Sequence, residues 1–147
     1  MDRHHRLLHL TLKHAAENPH DTKMAAIVAI GSKPISKGYN QVKSHPKQKC
    51  LFNPRRLLHA ELAAIIGCNL DALVGATIYV ARRYMNGMPA LAKPCPMCHE
   101  ILLAVGIKRV YYTIGGTPEN IEFGTYRVGY SKGGGDAYRD QTTVRND

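Results

Sequence analysis

Two short stretches carry residue types able to do chemistry. LLHAEL (57–62) holds His59 and Glu61, and KPCPMC (93–98) holds Cys95 and Cys98. Imidazole nitrogen and thiolate sulfur are the preferred donors of zinc, usually in tetrahedral geometry. His59, Cys95 and Cys98 make three such donors. A structural zinc site is normally closed by four protein ligands, whereas three leave a position for water, the arrangement of catalytic zinc. Glu61 follows His59 by two residues, so it can face the same cavity without binding the metal. A carboxylate there could take a proton from water and deliver it elsewhere. Taken alone, Glu61 would be an exposed first-turn glutamate favoured by the helix dipole.

The elements that must position these four residues can be read from periodicity. Leu8, Leu12 and Ala15 recur at helical spacing and predict a first helix over 3–16, stopped by Asn18 and Pro19. KMAAIVAI (23–30) is a short apolar run followed by GSK and PISKGYN, which reads as strand, tight turn and strand. Residues 41–58 are polar, basic and without a clear period, so they form a long loop of the kind that often carries function. A second helix is expected over 59–69, with Leu62, Ile65 and Ile66 inward. Residues 76–83 form a strand, and a third helix spans 95–105 with Gly106 as its cap. Strands are expected over 108–114 and 121–128, the second antiparallel to the first. Cys95 and Cys98 then stand at i and i+3 on one helix face, close to its start at Pro94. The partial positive charge of a helix N-terminus favours their thiolate forms. The fold class this order implies is α/β: a three-layer α/β/α domain with a five-stranded mixed sheet.

The 147 residues, 44% of them apolar, suit one domain with a real core. Its expected span is 1–130, with a Gly-rich polar tail over 131–147. No apolar run approaches the ~20 residues that span a bilayer, and the polar N-terminus does not read as a signal peptide. No membrane partner and a cytoplasmic setting are therefore expected. In that setting, two close cysteines point to metal or redox chemistry rather than a disulfide framework. Cys68 reads as a small buried side chain, and Cys50 has no assigned role. The net charge is +9, and no acidic residue lies between Asp21 and Glu61, where eight lysines and arginines fall. Such a field attracts phosphate on a nucleotide or on a nucleic-acid backbone, or simply forms a solvated face. His4, His5, His9 and His14 read as surface histidines of the first helix. His99 points away from its neighbour Cys98. Tyr79, Tyr84, Tyr111 and Tyr112 read as strand or core residues.

His-x-Glu followed by Pro-Cys-x-x-Cys is the signature of zinc deaminases. With GYN (38–40), HAE (59–61), KPCPMC and GIKRVYYT (106–113), the chain resembles the cytidine and deoxycytidylate deaminase superfamily over residues 23–114. The resemblance implies zinc on His59, Cys95 and Cys98, and Glu61 as the proton shuttle. It also implies Asn40 at the sugar, and the backbone near Ala60 and Pro94 against the base. The implied reaction is hydrolytic deamination at C4 of cytosine or C6 of adenine, with release of ammonia. Val42 stands where small cytidine deaminases often carry glutamate. The segment SHPKQK (44–49) could hold a phosphate through Ser44, His45, Lys47 or Lys49. A cytosine nucleotide such as deoxycytidylate is therefore the expected substrate. The expected hairpin after the third helix departs from deoxycytidylate and tRNA adenosine deaminases, which usually have a helix there. A base in single-stranded DNA or RNA remains an alternative substrate, and a non-catalytic zinc-stabilised nucleic-acid-binding module a second alternative. The resemblance also implies a homo-oligomer.

Overall fold

The computed structural model describes residues 2–18, 23–40 and 59–128, and the backbone of 142–145. Asp2 caps α1 (Arg3–Ala16), its carboxylate accepting the His5 N–H at 2.8 Å. Leu7, Leu8, Leu12 and Ala15 form the buried stripe of α1. Each of the three leucines contributes roughly 1.5–3 kcal/mol by leaving water, enough to dock the helix firmly. His5 lies on the same stripe and is buried, so the expectation of four surface histidines fails there. It precedes Leu8 by three residues, which puts it on the core-facing side. His4 also turns inward. Its Nδ1 is 2.8 Å from the Tyr79 hydroxyl, and its ring stacks on Tyr111 with centroids 4.3 Å apart.

β1 (Lys23–Ile30) and β2 (Lys33–Tyr39) form a hairpin, with Ile30 paired to Lys33 across the two-residue turn. Gly31 takes φ +61° there, a conformation that glycine adopts without steric cost. α2 (Ala60–Ile66) is shorter than its periodicity suggests. Gly67 ends it, and Asn69 caps a separate turn, α3 (Leu70–Leu73), by accepting the Asp71 N–H. β3 (Thr77–Arg83) leads through the two-residue β4 (Pro89–Ala90) to α4 (Pro96–Val105). Gly106 closes α4 with φ +88°, the left-handed cap expected of it. β5 (Arg109–Gly116) and β6 (Ile121–Arg127) are antiparallel, as expected. β7 (Thr142–Arg145) pairs with β6 inside the segment expected to be a Gly-rich polar tail.

The strands form one mixed sheet in the order β2-β1-β3-β5-β6-β7, with β4 beside β3. The five expected strands are therefore joined by two more. Among the described strands, only β3 and β5 pair in parallel. α1 covers one face, against Ala29, Tyr79, Ala81, Tyr111 and Phe123. Residues of α2 and α4 pack on the other, against Ala26, Val28, Ile78, Val80 and Tyr112. These are the three layers. Tyr79, Tyr111 and Tyr112 are core residues, but Tyr84 lies beyond the end of β3 and is 55% exposed.

This topology decides where the chemistry can sit. β1 is antiparallel to both β2 and β3, so β2 and β3 point the same way. Each is followed by a helix that must cross back over the sheet. The N-termini of α2 and α4 therefore lie at the same end of the sheet, beyond the C-terminal ends of β2 and β3. Gly38 lets α2 come close. A Cβ there would strike the backbone of Ala63 and Ala64, and Ser36 Oγ donates to Ala64 O at 2.7 Å.

Candidate metal centre

His59 is the N-cap residue of α2, with extended backbone and no hydrogen bond from its side chain to the helix. Its ring is thereby available to turn toward α4. Cys95 is the N-cap of α4, followed by Pro96 at the first helical position. Its sulfur accepts the Cys98 N–H at 3.4 Å, and Cys98 itself is one turn further on and buried. Thr113 steadies the approach to Cys95. Its hydroxyl donates to Ala90 O at 2.6 Å and accepts from Arg82 N at 3.1 Å, while its carbonyl accepts the Ala92 N–H.

The two helix starts bring the three donors together. His59 Nδ1 is 3.1 Å from Cys98 Sγ and 3.9 Å from Cys95 Sγ. All three ligand atoms lie within 4.8 Å of one another. Donors 2.0–2.3 Å from a tetrahedral zinc ion stand ~3.5–3.8 Å apart, so this set of one nitrogen and two sulfurs is of a type and spacing that could hold zinc. Among the described residues the group has these three members and no carboxylate. Cys95 carries the thiolate character, its pKa pushed down by hydrogen bonds from Cys98 and His59. Cys98 is pushed up, by sharing its proton with Cys95 and by burial. A metal binds the thiolate forms, so loading the site would release any proton the pair carries.

Glu61, in the first turn of α2, is only 3% exposed. It is not the solvated first-turn glutamate that its position alone would suggest. One carboxylate oxygen, Oε1, has no hydrogen-bond partner. Burial raises its pKa, opposed by its own backbone amide and by the charge of His59. The raised pKa brings the protonated form closer to reach than it is for a solvated carboxylate, which suits a group that must both take up and give a proton.

Ala60 and Pro94 are buried beside these residues in the chain. Asn40 directly follows the last residue of β2, Tyr39, at the same end of the sheet. Ser44, His45, Lys47 and Lys49 lie outside the described residues, as does Cys50. His99 packs against Tyr126, with ring centroids 5.7 Å apart, and stands outside the metal group. Cys68 is half-buried against the core rather than fully enclosed. Sequence reasoning passed over Asn18, a buried residue at the end of α1 whose side chain reaches Asn40. Its only local signal is the helix stop it shares with Pro19.

Residues 1–114 match the family model described as the cytidine and deoxycytidylate deaminase zinc-binding region. A deoxycytidylate deaminase of Mycobacterium phage D29 is 38% identical over 55 residues, which are 37% of this chain and 35% of that protein. The match therefore spans about a third of that relative's length. Two solved structures of a dCMP deaminase from cyanophage S-TIM5 share the fold. The apo form is 21% identical with a TM-score of 0.50, covering 74% of this chain and 83% of that one. The complex with dCMP and dUMP is 20% identical with a TM-score of 0.53, covering 73% and 77%. No helix among the described residues is long and apolar enough to cross a membrane.

Proposed function

The chain belongs to the cytidine and deoxycytidylate deaminase zinc-binding family, and from that premise we propose that it hydrolyses a cytosine nucleotide, deoxycytidylate first, to the uracil form and ammonia. The observation that carries this reading is the open three-donor group with a buried carboxyl group two residues from its histidine. His59, Cys95 and Cys98 would hold zinc. When bound there, the ion supplies a Lewis acid able to bring the pKa of water down to about 7. Glu61 takes up the proton that water gives as it adds to C4. It passes that proton to the ring nitrogen beside C4, then takes the second proton from the oxygen now bonded to C4 and hands it to the amine, so that the C4 carbonyl forms, the C–N bond breaks and ammonia leaves. Burial of Glu61 supports this double role, because a raised pKa makes the protonated form accessible.

Asn40 contacts the sugar, the backbone near Ala60 and Pro94 lines the base, and Ser44, His45 and Lys47 meet the phosphate. The phage relative and the cyanophage structures support the nucleotide assignment. A cytoplasmic setting, where thiols stay reduced, suits the free cysteines. A homo-oligomer is the expected assembly. The +9 charge favours a second reading, a cytosine or adenine base in single-stranded DNA or RNA.

A substrate panel on zinc-loaded protein tests the assignment, with ammonia and product read together. Deoxycytidylate is expected to exceed deoxycytidine at least tenfold in kcat/KM, because the basic loop meets the 5′-phosphate. Equal values would remove that loop's role. Preference for an oligonucleotide, with a steep loss of affinity as salt rises, would favour the second reading.

A further inference from the structure

His9, Leu12, Lys13 and Ala16 fall at i, i+3, i+4 and i+7 of α1, which puts them on one side of the helix. Beyond that side lies a cavity of about 300 Å³, at the small end of the range in which proteins bind small molecules. Its far wall is Arg83 at the end of β3, Gly87 in the turn before β4, and Pro118 in the turn between β5 and β6. α1 covers the sheet face opposite α2 and α4, and the cavity shares no residue with the metal centre.

Three nitrogen-bearing side chains line this cavity, and no carboxylate does. Lys13 and Arg83 are cations, and His9 adds an imidazole. Glu17 and Glu119, the acids nearest in the chain, stand outside the lining, and Glu17 is engaged by His14 at 2.7 Å. Among the described residues neither Lys13 nor Arg83 has an ion-pair partner. Arg83 Nε and His9 Nδ1 are buried without a hydrogen-bond partner. A buried donor without an acceptor costs stability, and two beside one cavity call for an explanation. A Cβ at Gly87 would stand 3.0 Å from Arg83 Nη2, so the glycine lets the turn close on the guanidinium and hold it in place.

We propose that this cavity binds a small organic anion, a phosphate or carboxylate group carried on an apolar body. The anionic head meets Lys13 and Arg83, whose guanidinium can give two parallel hydrogen bonds to either group. His9 donates another in the tautomer that carries its proton on Nδ1. The apolar body lies against Leu12, Ala16 and Pro118. The site is separate from the deaminase reading and stands or falls without it.

Phenyl phosphate and benzoate, titrated separately into the full zinc-loaded chain and followed by backbone amide NMR, test the site. At least one is expected to bind with a Kd of about 1 mM or tighter, shifting the amides of Leu12, Lys13 and Gly87. The tighter of the two identifies the head group. Inorganic phosphate and benzyl alcohol each carry half of the chemistry, and both are expected to bind about tenfold more weakly or worse. Lys13→Gln and Arg83→Gln should each weaken the organic anion by about tenfold. Lys13 is exposed on its helix, so Lys13→Gln keeps the fold and carries the test even where Arg83→Gln does not fold. Three results would overturn the inference: amides of Leu12, Lys13 and Gly87 that do not move, an affinity that Lys13→Gln leaves unchanged, or inorganic phosphate bound as tightly as phenyl phosphate.

Discussion

Glu61→Gln is expected to abolish ammonia release, lowering turnover by about 10²–10⁴-fold, with zinc content and folding preserved. Glutamine matches glutamate in shape, so the buried site keeps its packing. It lacks the one property the mechanism needs, since an amide neither takes up a proton from water nor hands one to a ring nitrogen. The residue stands outside the three-donor group, so the metal has no reason to leave. The raised pKa of Glu61 marks a cost to burying its charge, set mainly by desolvation. A neutral amide avoids that cost, and the thermal midpoint should hold or rise slightly. Ammonia release, metal content and unfolding, followed on the same preparation, decide the matter. A variant that keeps zinc and fold and still releases ammonia at the parent rate removes Glu61 from the chemistry and favours a non-catalytic zinc module.

Cys98→Ala is expected to act on both stability and activity. Cys98 is 1% exposed, and its sulfur is the closer of the two to His59 Nδ1. Its loss leaves two donors, too few for a tightly held zinc ion. Bound zinc per chain should fall from about one to near zero, and turnover should fall with it. A metal that binds only the folded chain stabilises it by about 4 kcal/mol at a thousandfold excess over Kd. That corresponds to roughly 10 °C in Tm for a domain of this size. A chelator should therefore lower the midpoint of the unmodified protein by about that amount and leave the variant unmoved. A chelator effect equal in both proteins would place the metal elsewhere.

The parts of this centre that were legible in the sequence are those fixed by local spacing. Cys95 and Cys98 fall one turn apart at a helix start that the sequence suggests at Pro94 and the structure places at Pro96, and their closeness follows from three residues of separation alone. The bounds of α1 and β1 were equally readable, because a helical period and an apolar run each end at clear stop signals. The early end of α2 was less so, since Leu62, Ile65 and Ile66 keep a helical period that Gly67 and Asn69 then interrupt. β7 carries no strong apolar alternation, and it exists through pairing with β6. The inward turn of His5 was available from its place three residues before Leu8, but its polar type argued for the surface. Asn18 was invisible for a different reason. Its partners lie six and twenty-two residues away, and no local pattern announces such a contact.

The central claim is a metal held by three side chains of this protein with one position left to solvent. X-ray absorption at the zinc edge on the loaded chain tests it most directly. The account predicts two sulfurs at about 2.3 Å and one imidazole nitrogen at about 2.0 Å, with one further light atom completing four-coordination. Cys50 is the remaining thiol outside the described residues that could close the site. A third sulfur in the shell, or a chain that binds no zinc, would contradict the account.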